Sequence, residues 1–148
     1  MRCPWKSIVS MMVFFMAELE PAHQKDVPVK KISAEEILFD IDGYYTCKGN
    51  EASGKTYTGV ATIAKVNEIY VVSWNMGLSN FSGVGIRQGE NLAVSWSITA
   101  EGGKQIKGVN LYKIKQGPRL VGVWATLPGN GLMRRESLTF LKPFEKEE

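Results

Sequence analysis

Histidine is nearly absent from this sequence. The sole one, His23, lies before the strand-rich stretch that begins at Gly43. No Ser-His-Asp or Cys-His arrangement can be assembled within that stretch. The two cysteines, Cys3 and Cys47, are too few for the usual zinc ligand sets. Carboxylates are sparse between residues 43 and 142, where only Glu51, Glu68, Glu90, Glu101 and Glu136 occur, the first four in turn-like segments. A phosphate-binding loop is missing too. GVGIRQG at 83–89 contains G-x-G, but neither the further glycine spacing nor a following helix. Charge of one sign is also lacking. The 18 basic and 15 acidic residues are scattered, and the longest basic runs are the pairs Lys30-Lys31 and Arg134-Arg135. A net charge of +3 in that arrangement does not point to nucleic acid. These absences disfavour an enzyme, and they imply neither a metal site nor a cofactor.

A long apolar run is likewise missing. The longest uncharged segment near the start, SIVSMMVFFMA at 7–17, is too short to span a bilayer as a helix. Arg2 and Lys6 precede it, which gives the outline of a secretory signal. The expectation is a leader over 1–22, cleaved between about residues 18 and 26, and an exported protein, periplasmic or secreted. The alternative is a misassigned start followed by a disordered leader. Cleavage would remove Cys3 and leave Cys47 without an internal disulfide partner.

What is present has period 2. From Gly43 onward, runs rich in Val, Ile, Tyr, Thr and Trp alternate with clusters of Gly, Asn and Lys. Eight strands are expected, near 43–48, 55–65, 68–75, 80–87, 91–98, 107–114, 119–126 and 134–141. The breaks GNEASG, KVNE, NMGLS, RQGE, AEGGK, KQGP and LPGNG carry turn chemistry. Most are long enough only for hairpins, so neighbours pair antiparallel. Eight such strands leave two exposed edges unless the sheet closes. The expected fold is all-β: a single eight-stranded antiparallel up-and-down barrel over 43–142, with two packed sheets as the alternative. A linker at 23–42 precedes it. The capping-box pattern SAEE at 33–36 predicts one or two helical turns near 34–39, which would plug a barrel end or pack on its surface. A flexible tail follows at 143–148.

Three apolar runs end in tryptophan: YVVSW at 70–74, LAVSW at 92–96 and LVGVW at 120–124. Alternation puts Tyr70, Val72 and Trp74 on one face, and does the same for Leu92, Val94 and Trp96 and for Leu120, Gly122 and Trp124. These are the bulkier faces, so they should point inward. The strands are the third, fifth and seventh, which run the same way in a meander. All three indoles should therefore gather near one end. Glycines inside the strands, at 59, 83, 85, 108 and 122, leave room for large rings in a narrow barrel. Cys47 shares a face with Tyr45 and suits a buried small hydrophobe.

Glu136 is the exception among the carboxylates. In RRESLTF it shares a face with Leu138 and Phe140, and Arg134 has the same phase. A carboxylate pointing inward needs a partner, which Arg134, a tyrosine hydroxyl or an indole N–H would supply. It would either anchor a ligand or form a structural hydrogen bond where the first and last strands meet. Buried polar groups are mostly satisfied structurally, which favours the second reading.

These motifs resemble those of small exported bacterial proteins of unassigned role, some of which are labelled fibronectin-binding. The shared frame is G-x-Y-x-C-x-G, then Y-x-G, a Trp-ended strand, GVGI, L-x-V, and finally G-x-L-x-G-x-W with E-x-L. Here it falls on Gly43, Tyr45, Cys47 and Gly49, on Tyr57 and Gly59, on Trp74, on Gly83 to Ile86, on Leu92 and Val94, and on Gly122, Trp124, Glu136 and Leu138. The late block departs from the frame, because Pro118 and Arg119 separate Gly117 from Leu120. The resemblance spans about residues 42–140. It implies export and a barrel, and it carries no catalytic residue. The pattern is also similar in shape to avidin- and lipocalin-like (calycin-like) barrels. The lipocalin G-x-W opening is replaced by Gly43-Tyr44-Tyr45, so no ligand is carried over.

Two functions compete. The first is a non-catalytic barrel that binds a small apolar or aromatic ligand at its Trp-lined end, with Trp74, Trp96, Trp124, Tyr70, Tyr45, Glu136 and Arg134 as candidate contacts. The second is a cell-surface or secreted module that binds a protein or glycan through its outer face or loops. A ribbon of MORN-like repeats is excluded by the uneven tryptophan spacing.

Overall fold

The computed structural model describes residues 39–146. The alternating pattern becomes eight strands: β1 (Gly43–Asn50), β2 (Thr56–Val66), β3 (Ile69–Asn75), β4 (Asn80–Gln88), β5 (Asn91–Thr99), β6 (Gln105–Lys115), β7 (Arg119–Leu127) and β8 (Arg134–Lys142). Their ends lie within two residues of those expected from sequence. Each strand pairs antiparallel with its sequence neighbours, and β8 returns to pair with β1. The closing seam aligns Thr46 with Thr139, Cys47 with Leu138 and Gly49 with Glu136, with an irregularity between Tyr44 and Tyr45. Closure satisfies the backbone groups that two open edges would expose. The two-sheet alternative is thereby excluded.

The two ends differ. At one end β2–β3, β4–β5 and β6–β7 are joined through residues 67–68, 89–90 and 116–118. These tight links need positive φ, supplied by Asn67 at 55° and Gly89 at 60°. At the other end the connections are longer, over 51–55, 76–79, 100–104 and 128–133. Residues 39–42 seal the tight end. Ile41 is fully buried, and its carbonyl accepts from the Tyr45 hydroxyl at 2.7 Å. The Lys65 amide donates to Asp42 at 3.0 Å, and Arg87 donates to the Phe39 carbonyl at 2.8 Å. The leader at 1–22 and most of the linker lie outside the described residues. The helical turns expected near 34–39 do as well, except for Phe39, which has no regular structure.

Side chains fill the interior in a regular way. Large rings stand opposite glycines on neighbouring strands: Tyr57 faces Gly49, Tyr70 faces Gly85, Trp96 faces Gly108 and Tyr112 faces Gly122. At Gly108 the fit is close, since a Cβ there would lie 2.1 Å from the Trp96 ring. That ring is also tethered by a hydrogen bond from its Nε1 to Asn110 Oδ1 at 2.7 Å. Gly108→Ala should therefore lower stability by about 1–3 kcal/mol in urea unfolding, as overpacking does. A loss below about 0.5 kcal/mol would mean that the ring moves aside freely.

Candidate functional site

The site forms at the looped end because strand phase and direction converge there. Trp74, Trp96 and Trp124 point inward from β3, β5 and β7, each in the later part of its strand. Trp74 and Trp96 are buried, and Trp124 is half-buried. Phe81, on the paired residue of β4, stacks on Trp74 with ring centroids 5.0 Å apart and planes at 17°. It also leans on Trp96 at 4.9 Å. Tyr57, from β2, lies 6.3 Å from the Trp124 ring.

Glu136 sits beneath these rings, with 5% of its surface exposed. Four neutral groups donate to its carboxylate. Tyr57 approaches Oε2 at 2.5 Å, while Trp74 Nε1 and Asn110 Nδ2 reach Oε1 at 3.2 Å each. The Tyr112 hydroxyl completes the set on Oε1. Asn110 spans the network: its Oδ1 accepts from Trp96, and its Nδ2 also donates to the Tyr112 oxygen at 2.7 Å. One carboxylate on β8 is thus tied to β2, β3 and β6, across the interior. The seam between β1 and β8 is closed by their backbone ladder, not by this side chain.

The electrostatics follow from that placement. Burial, and after it the negative charge of Glu136, push the Tyr57 and Tyr112 hydroxyls far above the ordinary phenol range. Both remain protonated and able to donate. The same two causes, in the same order, raise the Cys47 thiol. Cys47 is buried, unpaired and held as the thiol, which removes its nucleophilic form.

Above the network the looped end holds a recess of about 380 Å³, open to solvent. Its walls include Trp74, Trp96, Trp124, Phe81, Met76 and Tyr57, with Asn110 and Glu136 deeper and Glu51 at the β1–β2 loop. This volume falls within the range of about 300–1,000 Å³ common for small-molecule sites. Flat aromatic faces, one thioether and a few convergent polar groups equip it for binding. Among the described residues, no group of three His, Cys, Asp or Glu side chains could hold a metal ion.

The sequence-derived candidates separate into two places. Trp74, Trp96, Trp124 and Glu136 come together in the recess. Tyr45 and Tyr70 point inward but belong to the tight end. There Tyr45 is fully buried against Phe140, with centroids 5.6 Å apart, and Tyr70 lies beside Phe39 and Arg87. Arg134 does not pair with Glu136, which corrects one of the three partners foreseen for the carboxylate. Its guanidinium lies 5.2 Å from the centre of the Trp124 ring and donates to Asn130 Oδ1 at 3.0 Å. Tyrosine and indole donors take the role instead. The Trp124 N–H approaches the Tyr57 hydroxyl without reaching hydrogen-bond geometry. Asn110, Tyr57 and Tyr112 were missed as site residues. Only the inward phase of Asn110 and Tyr112 on β6 hinted at them.

No family model matches the chain, and no curated protein matches it in sequence. A solved structure described as a redesigned beta barrel superposes with a TM-score of 0.56 at 13% identity, covering 68% of this chain and 91% of that one. At that identity the likeness shows the fold alone. The chain is similar to that structure as an all-β closed barrel.

Proposed function

We propose that this protein is a non-catalytic binding barrel that takes a small ligand with an apolar or aromatic body into its looped end, and that it acts outside the cytoplasm after loss of its leader. The observation that carries the binding reading is the recess of about 380 Å³ walled by three tryptophans, Phe81, Met76 and Tyr57. The leader pattern at 1–22 and the resemblance to small exported proteins support export. Ligand entry should change the emission of the tryptophans that line the recess. A fluorescence titration with soluble neutral aromatics such as indole or benzyl alcohol should therefore saturate. Trp124→Phe should weaken that binding, because it narrows one wall. Titrations that stay linear for every apolar or aromatic probe tried, charged or neutral, would reject the reading.

One observation favours an interaction module as a second reading. The outer face of β4–β7 exposes Val84, Ile86, Val109, Leu111 and Val121, all more than 40% accessible. Register places Ile86, Ala93, Leu111 and Val123 side by side across the four strands. Contiguous exposed apolar surface of this kind marks interaction sites on many soluble proteins.

A further inference from the structure

We infer that the ligand of the looped-end recess carries a positively charged alkylammonium group, held against the aromatic walls with Glu136 as its counter-charge. This rests on the binding reading above and adds the charge of what is bound.

The first support is a local reversal of sign. The chain as a whole is basic, with 18 Lys and Arg against 15 Asp and Glu. The walls of the recess nevertheless include two glutamates, Glu51 and Glu136, and no lysine or arginine. A concave site with low-dielectric walls concentrates the field of its charges, so the two carboxylates favour a cation in the recess, opposed from one side by the Arg134 guanidinium beside Trp124.

The second support is the state of Glu136. It is 5% exposed, yet all four of its hydrogen-bond donors are neutral. The ion pairs among the described residues are Lys113–Glu90 and Lys142–Glu145, both on the surface. Buried carboxylates are ordinarily matched by a cation, and this one has none among the described residues. Oε1 accepts three donors and Oε2 accepts one, which leaves Oε2 the less occupied oxygen.

The third support is the chemistry of the walls. Indole, phenol and phenyl faces carry negative charge density at their centres and attract ammonium groups. Trp74, Trp96, Trp124, Phe81 and Tyr57 supply five such rings around one volume. Trp124 already holds a cation on its ring, the Arg134 guanidinium at 5.2 Å. An alkylated ammonium suits the site better than a bare one. Its methyl groups bury against the rings, and it asks for no hydrogen-bond acceptors that the walls lack.

The test compares probes of matched shape. Choline and its uncharged carbon isostere 3,3-dimethylbutan-1-ol are titrated into the full chain, followed by calorimetry and by tryptophan emission. Benzyl alcohol serves as a neutral aromatic control. Choline should bind about tenfold or more tightly than the isostere. Glu136→Gln should reduce that preference, the ratio of the two affinities in one variant, about tenfold. Glu51→Gln, at the exposed β1–β2 loop, provides a second charge removal that does not disturb the interior, and should reduce choline affinity about twofold. Equal binding of choline and the isostere, or binding by benzyl alcohol alone, would overturn the inference and leave the binding reading standing. Failure of all three probes to bind would overturn both.

Discussion

Trp74→Ala is expected to remove about 3–5 kcal/mol of stability, the cost of deleting a large buried aromatic and leaving a cavity. Trp74 is 2% exposed and among the largest fully buried side chains of the barrel. Its truncation also leaves Phe81 without the ring on which it stacks at 5.0 Å. It removes one of the four donors to Glu136 as well. The neighbours on either side cannot close the gap, because Ala61 is small and the Phe81 ring is held by Trp96 on its far side. A typical domain has about 5–15 kcal/mol in total, so this one change should bring the protein close to its unfolding limit at moderate temperature. Trp124→Ala should cost clearly less, since Trp124 is only half-buried. Urea unfolding followed by far-ultraviolet circular dichroism checks both, independently of the fluorophore removed. A Trp74→Ala variant within about 0.5 kcal/mol of the parent would mean that the ring is not part of the core.

The architecture was legible because its signals are redundant. Each strand has its own alternation, each break its own turn residues, and the count of eight leaves closure as the natural way to remove two edges. The three tryptophans were placed by phase and strand direction alone, and β3, β5 and β7 carry them to the same end. Glu136 stood out because a carboxylate in phase with Leu138 and Phe140 breaks the apolar pattern of that face. The partners of Glu136 were far harder to see. On β6 alternation puts Asn110 and Tyr112 on the face opposite Lys107 and Lys113, but the face alone does not say that they meet Glu136. Tyr57 lies on β2, 79 residues from Glu136 in the chain, and their contact depends on the shear of the closed barrel. Arg134 was a natural guess, being two residues from Glu136 and on the same face. Strand geometry defeats it: side chains two apart stand side by side, and this one turns to the β7–β8 loop instead. Tyr45 and Tyr70 share the inward face with the tryptophans, but they lie at the opposite ends of their strands. Periodicity gives the face of a side chain and is silent about which rings share one volume.

Glu136→Leu is expected to destabilise the protein by about 3 kcal/mol or more. The substitution keeps the apolar character of the face and nearly the same volume, so packing alone predicts little change. Hydrogen bonding predicts otherwise. Tyr57, Trp74, Asn110 and Tyr112 all direct N–H or O–H groups at this carboxylate. Leucine would leave these donors without their acceptor in a water-poor interior, and each buried unsatisfied group costs about 1–3 kcal/mol. Asn110 and Tyr112 can partly recover through their mutual contact at 2.7 Å, and Tyr57 can turn toward the open recess. Trp74 has no such outlet. Glu136→Gln should behave differently. Its amide oxygen can accept what Oε1 accepts, and its amide nitrogen can donate to the Tyr57 oxygen, so the loss should stay near 1 kcal/mol. The pair of variants therefore separates the hydrogen-bond role of this residue from its charge. If the network holds the barrel together, leucine is severe, glutamine is mild, and Tyr112→Phe combined with Glu136→Leu costs less than the sum of the two single changes. A melting curve for Glu136→Leu that overlays the parent would mean that these donors find water or other partners. Glu136 would then have no structural task, and its burial beneath the tryptophans would have to be explained by what the recess binds.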